Sequence, residues 1–578
     1  MLLLSVGALL PELLTVAFVS PLNLRSQAPA KIQYVDVTKA SGVTYHQSNS
    51  ATPSKYLIET MGGGVALFDY DNDGWVDIFF VNGAKLNQPQ KDGEILDKSS
   101  PEFWNRLYHN NRNGSFTDVT ERAGVRGTGY GMGVATGDYD GDGFVDLLVT
   151  MYGGGVLYRN NGDGTFSDAT ERARLKMEGW ATSAGFFDYN RDGCLDLFVC
   201  RYMRWDFTTG SRFCGVEGPN GRAYCHPDEF KAIPNYLFRN NCDGTFSDDS
   251  GPSGIAASEG KALGVAFEDF DRDGLLDIYV ANDSFPQFLF KNKGDGTFSE
   301  SGLLAGVSYT EDGQTFAGMG TDFADLDDDG YPDIVTTALP FQYYAFFRNN
   351  SDGTFNYSSV TSDLAGFTRL LGGWGVRIFD YDNDGAKDLF IANSHVMDNI
   401  SLSQPQVSYA QKLLLLKFSR GKFVNVSYES GDVFKESWPS RGAAFGDIDN
   451  DGDVDVVVTT LNGPAHILRN EGGSQNNWIG LDLHSSGGNR YGLGARITLT
   501  SASGRTQHTI ASTAGSYQSA NDRRAFIGLG QERGIQEIRI RWPEGPEQVL
   551  SNPPINQILT VEKDVRPAAQ AIKSVSTR

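Results

Sequence analysis

The sequence predicts an all-β fold: a seven-bladed β-propeller over residues 31–475, followed by a small β-rich C-terminal domain over 476–563. Three observations carry this. A loop of the form D-x-[DN]-x-D-G-x-x-D recurs seven times, beginning at Asp69, Asp138, Asp188, Asp269, Asp325, Asp380 and Asp447, and each copy runs into an apolar stretch such as Ile78-Phe79-Phe80-Val81. A hairpin motif then follows, as at Leu107–Phe116, with an Asn/Asp-Gly turn between two apolar runs. The seventh repeat lacks its last strand, and that strand stands at the start of the chain as Tyr34-Val35-Asp36-Val37-Thr38. Repeats that each make one four-stranded sheet give a propeller, and a borrowed strand closes its ring.

Taken in order, residues 1–30 resemble a secretion signal. The run MLLLSVGALLPELLTVAFVS is apolar, and Ala28 or Ala30 offers a cleavage point. Pro11-Glu12 interrupts it, which makes it a poor membrane anchor, and no later segment is apolar enough to span a bilayer. The residues 33–38 are the ring-closing strand. Each repeat then offers a Gly-rich strand (Gly131-Met132-Gly133-Val134-Ala135), the Asp loop, a second strand, and a third strand entering the hairpin. The fourth strand is F-x-D-V-T, as at Phe116, with variants at Phe166, Phe246, Phe298, Phe355 and Phe423. From about Asn477 the pattern alternates apolar and polar without Asp loops (Ile538-Arg539-Ile540-Arg541-Trp542), marking the separate domain. The tail, 564–578, is polar and expected to be loose.

The loops are read as calcium sites. Alternating oxygen ligands around a glycine-permitted turn suit a hard cation that takes six to eight oxygens. An EF-hand would need Glu at its twelfth position, where this chain has Phe80, Val149, Val199, Val280, Thr336, Ile391 and Val458. The ninth residue must therefore close the site. The ligand sets are Asp69, Asp71, Asp73 and Asp77; Asp138, Asp140, Asp142 and Asp146; Asp188, Asn190, Asp192 and Asp196; and Asp269, Asp271, Asp273 and Asp277. They continue with Asp325, Asp327, Asp329 and Asp333; Asp380, Asp382, Asp384 and Asp388; and Asp447, Asp449, Asp451 and Asp455. Four carboxylates in one turn repel unless a cation neutralises them. The alternative is an Asx-rich turn without metal. The role expected of up to seven Ca²⁺ is structural, with the Asn190 site weakest.

Charge and cysteines bound the rest. The net charge is −23 over 578 residues, and seven Ca²⁺ would reduce it to −9, so the acidity reflects the metal-free state. Such a surface excludes nucleic acid as a ligand. Of the five cysteines, Cys214 and Cys225 share one polar insertion and are placed for a local disulfide. Cys194 and Cys242 lie in two turns at one end of a repeat, where a bridge or two free thiols are both open. The seven histidines are scattered, and no H-E-x-x-H, G-x-S-x-G or Walker motif occurs.

In an antiparallel four-stranded sheet the first and third turns share one end. The Asp loops therefore occupy one face, and the insertions 82–106, 201–235 and 394–412 gather on the other. That second face is the candidate partner surface, with Trp104, Arg201, Arg204, Trp205, Tyr224 and His226 as its aromatic and basic groups. The alternative is that these side chains only pack their own loops.

The Asp loops with their Gly-Asp-Gly-Thr-Phe turns resemble the FG-GAP/VCBS repeats of integrin-α-like propellers. Tyr491-Gly492-Leu493-Gly494-Ala495-Arg496, Phe526-Ile527-Gly528-Leu529-Gly530 and Arg541-Trp542-Pro543-Glu544-Gly545 resemble the ASPIC/UnbV domain. Together they resemble the cartilage acidic protein family and its bacterial relatives over roughly residues 31–563. The resemblance implies a secreted or periplasmic calcium-binding protein linked to adhesion, with no established catalysis. Asn190, Ile527 and Glu544 depart from the commoner residues, and no EGF-like cysteine module follows, unlike the animal members. The function expected is a non-enzymatic adhesion module for an extracellular protein or glycan. Two other readings stand beside it: a lectin or polysaccharide lyase working from the insertion face, and a scaffold whose C-terminal domain docks an enzyme.

Overall fold

Each Asp loop joins the first two strands of a four-stranded antiparallel sheet. In the first sheet Val65–Phe68, Asp77–Phe80, Arg106–Asn110 and Phe116–Asp118 pair in chain order. Five further sheets repeat this order. In the last loop-bearing sheet, Ser440–Gly446, Asp455–Thr460 and His466–Glu471 are joined by Gln33–Asp36 from the start of the chain. Its register sets Tyr34 against Asn470 and Asp36 against Leu468. Tyr34 is buried there, its hydroxyl donating to the Val454 carbonyl at 3.0 Å, and His466 Nδ1 lies 2.7 Å from Asp36. The computed structural model describes residues 32–218, 221–545 and 547–564. The signal-like segment 1–30 and all but the first residue of the tail fall outside them. The fold is all-β and propeller-like.

The sheets lie face to face around the innermost strands, each of which contacts the innermost strand before and after it; Ser440–Gly446 returns to Val65–Phe68. Apolar side chains fill the space between sheets, for example Leu107, Val134, Leu147 and Val149 between the first two. Each such side chain, fully buried, contributes about 1.5–3 kcal/mol. An asparagine in the third strand joins neighbouring sheets. Asn160 Nδ2 donates to Tyr70 O of the preceding loop at 2.7 Å and to Val145 O of its own at 3.2 Å. Asn110, Asn240, Asn292, Asn349 and Asn470 make the same bridge. The sixth sheet has Phe418 at this position and lacks the bridge.

Beyond the ring, Asn477–His484 pairs with Ala525–Gly530 and, in parallel, with Ile558–Glu562. A second sheet orders Thr506–Ile510, Arg496–Ser501, Ile535–Arg541 and Glu547–Ser551. The two enclose a core of their own around Ile479, Ile497, Leu499, Ile538 and Trp542.

Between Ile510 and Ala525 the chain enters the centre of the ring. Thr513–Asp522 is buried throughout and bonds to the innermost strand of every loop-bearing sheet. The partners are Val65, Thr136, Ser183, Val265, Thr321, Val376 and Phe445. Glycines in the inner strands make room for this close approach. A Cβ on Gly64 would lie 2.4 Å from Gln518 O, and one on Gly133 2.9 Å from it. Tyr517 stands at the core of the plug, edge-on to Trp374 at 4.9 Å, with its hydroxyl donating to Met61 O at 2.8 Å.

Candidate metal centres

The loop geometry follows from its carboxylates. The first Asp accepts the N–H of the sixth-position glycine at 2.7–3.0 Å in all seven copies. That glycine has φ near +90°, as in Gly74 (+86°) and Gly385 (+90°), and this is why Gly stands there. The fifth Asp accepts the N–H of the seventh residue, and the ninth accepts a third-strand N–H, as Asp77 does from Asn110 at 2.8 Å.

The third position differs. One oxygen of Asp71, Asp140, Asp271, Asp327 and Asp449 is buried without a hydrogen-bond partner, as are Asp269 Oδ1 at a first position and Asp388 Oδ2 at a ninth. Leaving such an acceptor unpaired costs about 1–3 kcal/mol or more for a charged group. One oxygen each from Asp69, Asp71 and Asp73 lies within 4.8 Å of the other two, and Asp138, Asp140 and Asp146 converge in the same way, as do Asp269, Asp271 and Asp273. An all-oxygen donor set with buried, unpaired carboxylate oxygens fits a calcium ion. Asp69, Asp142 and Asp329 have their pKa raised, and burial drives Asp77, Asp138, Asp188, Asp325 and Asp447 up to about 7.

The loop at Asp188 is built differently. Asn190 donates to Asp192 Oδ2 at 2.9 Å and accepts its N–H at 3.0 Å, so nothing at the third position is orphaned. A disulfide, Cys194–Cys242, joins this loop to its neighbouring hairpin. Cys214–Cys225 forms as expected, and Cys200 is free and buried.

Two groups of residues at the loops escaped the sequence reading. The third strand carries a basic residue just before the asparagine position: His109, Arg159, Arg239, Lys291, Arg348, Lys417 and Arg469. Arg159 meets Asp140 and Asp142 at 2.5 Å, and His109 lies 3.4 Å from Asp71 and Asp77. Lys291, Arg348 and Lys417 pair with Asp271, Asp327 and Asp382. Arg239 makes no such pair, and its loop holds Asn190 at the third position. The recurrence of His, Arg or Lys before Asn was a readable signal within a motif taken only as a turn.

The second group comes from the C-terminal strands and the connections between them, which lie against the loops. Tyr491 donates to Gly143 O at 2.6 Å, Arg490 to Gly141 O at 2.8 Å, and Gln507 to Gly385 O at 2.9 Å. Arg524 bonds Asp447 O at 2.8 Å, and Arg496 bonds Gly330 O. Asn489 donates its N–H to Gly193 O, and Arg541 lies against Gly274.

Comparison with known families matches this architecture. The family described as "FG-GAP-like repeat" matches residues 69–149, 138–199, 231–280 and 269–336, and "ASPIC and UnbV" matches 485–568. The chain is an FG-GAP-repeat protein with an ASPIC/UnbV domain. It is similar to cartilage acidic protein 1 of Xenopus tropicalis, 24% identical over 306 residues, spanning 52% of this chain and 44% of that protein. The human protein of that name is 24% identical over 272 residues, spanning 46% and 39%. The chain thus spans under half the length of these relatives. Among solved structures, an Agrocybe aegerita lectin that recognises non-reducing terminal N-acetylglucosamine aligns at 15% identity and TM-score 0.37, over 70% of this chain and 87% of that one.

The insertions 82–106, 201–235 and 394–412 meet at the end of the ring away from the Asp loops. Asn399 donates to Arg222 O at 2.9 Å, and Phe207 N–H donates to Asp92 at 2.7 Å. Of the residues proposed for a partner, Trp205 is buried against Trp180 and Phe207, and Tyr224 is buried with its hydroxyl 3.2 Å from Glu59. Both hold the insertion together. Trp104 is half-buried under Arg126, and Arg201 stacks on Tyr236 at 4.3 Å. Arg204 and His226 are exposed. No helix among the described residues is long and apolar enough to cross a membrane.

The Cys194–Cys242 bridge closes 48 residues, for which chain entropy predicts about 4 kcal/mol of stabilisation. Cys194→Ser is therefore expected to lower Tm by a few degrees in calcium buffer, measured by calorimetry; an unchanged Tm would show that the bridge stabilises nothing.

Proposed function

We propose that the chain is an exported, calcium-loaded, seven-bladed propeller that works as a non-enzymatic binding module for an extracellular protein or glycan. The reading takes the seven loop-bearing sheets as the blades of one ring and residues 476–563 as the domain that seals its calcium face. The observation that carries it is the third-position oxygen left buried and unpaired in five loops, beside carboxylate oxygens that converge to within 4.8 Å of one another. Two disulfides suit an oxidising compartment. With the C-terminal strands and their connections lying against the loops, the insertion face is left as the surface for a partner. A lyase reading would need Arg, Lys and His lining an enclosed axial pocket, and the plug Thr513–Asp522 occupies the axis. Binding is tested by a screen of glycans and matrix proteins with and without EGTA. A ligand is expected whose binding falls at least tenfold in Arg204→Ala/His226→Ala, with bound calcium unchanged. A ligand indifferent to both substitutions would move the partner surface elsewhere.

A further inference from the structure

The insertion face holds a cavity of about 40 Å³ whose walls are mostly apolar. A water needs about 10–15 Å³ of such space, so the cavity takes about three waters, the bulk of a trimethylammonium head. Its lining includes Tyr202, Tyr224 and Trp374, all buried, together with Met61 and Met319. Two of the rings are held by aromatic neighbours that do not line the space. Tyr202 meets Trp180 edge-on at 5.1 Å and Trp374 meets Tyr517 at 4.9 Å. One carboxylate, Asp283, also lines it; it is 7% exposed and accepts hydrogen bonds from Tyr202 and from Ser284 Oγ at 3.0 Å. The mouth lies by His226 and Met397.

Aromatic faces attract cations through their quadrupole, most strongly when water is excluded, and a cage of them suits a methylated ammonium that cannot donate hydrogen bonds. The rings already serve cations elsewhere: Arg441 stacks on Trp374 at 4.0 Å and Lys55 lies 5.0 Å over Tyr224, although neither lines the cavity. Lys55 is paired with Asp398, and Lys261 donates to Pro227 O. Asp283 is thus the one carboxylate among the lining residues, with His226, His395 and the two tyrosines as the other titratable groups there. We infer that this cavity is a binding site for a small quaternary ammonium compound, held between Tyr202, Tyr224 and Trp374 with Asp283 as counter-ion. The site stands whether or not the loops bind calcium.

The test is titration calorimetry of the full chain in calcium buffer with choline and with its uncharged carbon isostere, 3,3-dimethylbutan-1-ol. Choline is expected to saturate at millimolar concentration and the isostere to bind about tenfold more weakly. Asp283→Asn is expected to weaken choline several-fold and leave the isostere unchanged. Equal affinity for the two compounds, or no saturation by choline, would overturn the inference, and neither comparison depends on the variant folding. Co-sedimentation with phosphatidylcholine vesicles separates a membrane-held head group, which would sediment the protein and overturn the inference, from a free compound, which would not.

Discussion

Stripping calcium with EGTA is expected to lower Tm by well over ten degrees. For a folded body of this size the unfolding entropy is on the order of 1 kcal/mol/K, from about 2.1 cal/mol/K per residue. Ten degrees thus corresponds to about 10 kcal/mol. A site held at a hundredfold above its Kd contributes about 2.7 kcal/mol, so four occupied loops are enough. The fold itself should persist without the ion, because Arg159, Lys291, Arg348 and Lys417 stay paired with the loop carboxylates. The result is then a shifted calorimetric transition, still cooperative. A shift of a degree or two would remove the structural role assigned to the metal.

The size of this shift should depend on pH in a definite direction. In the metal-free chain, Asp77, Asp138, Asp188, Asp325 and Asp447 rise to about 7 and Asp269 to about 6, chiefly through burial. The unfolded carboxyls titrate near 3.9. Between these limits the folded state holds more protons than the unfolded one. The metal-free fold therefore keeps this stability at low pH and loses it as pH rises toward about 7. Calcium requires the ionised form, so protons compete with it. The gap between the calcium and EGTA transitions should be narrower near pH 5 than near pH 7.5. A gap that widens on acidification would contradict the burial of these acids.

What the sequence made legible was what repeats or alternates. The loops, the four-strand order and the borrowed strand at Tyr34 all follow from local pattern, and the structure pairs Tyr34 with Asn470 as that pattern requires. The separation of loops from insertions follows from strand direction alone. Trp205 and Tyr224 show where local reading stops, because an aromatic in a polar insertion looks the same whether it anchors a partner or its own loop. The segment Thr513-Ala514-Gly515-Ser516-Tyr517-Gln518-Ser519 is the extreme case. Small and polar, it has the composition of an exposed turn, yet it is buried because seven strands converge on it with donors and acceptors to satisfy. Only the Gly-rich inner strands, such as Gly131–Ala135, hinted at it.

A chain ended at Gln475 is expected to melt at least ten degrees lower than the full chain in calcium, or to lose a single cooperative transition. Without Thr513–Asp522, the N–H groups of Val134, Thr321 and Leu67 and the carbonyls of Val65 and Val265 lose their partners at the axis. Each buried group left unpaired costs about 1–3 kcal/mol. Loss of Tyr517, fully buried against Trp374, adds about 3–5 kcal/mol by analogy with aromatic-to-alanine changes. Tyr517→Ala in the full chain isolates that last part and should cost a few degrees with calcium stoichiometry intact. A truncated chain within two degrees of the parent would show that the plug is a passenger. Truncation also bears on function, because it opens the axial space that a carbohydrate-processing site would need. If the shortened chain gains affinity for a polysaccharide that the full chain ignores, the C-terminal domain is acting as the occupant of that site, and the intact protein works from its insertion face.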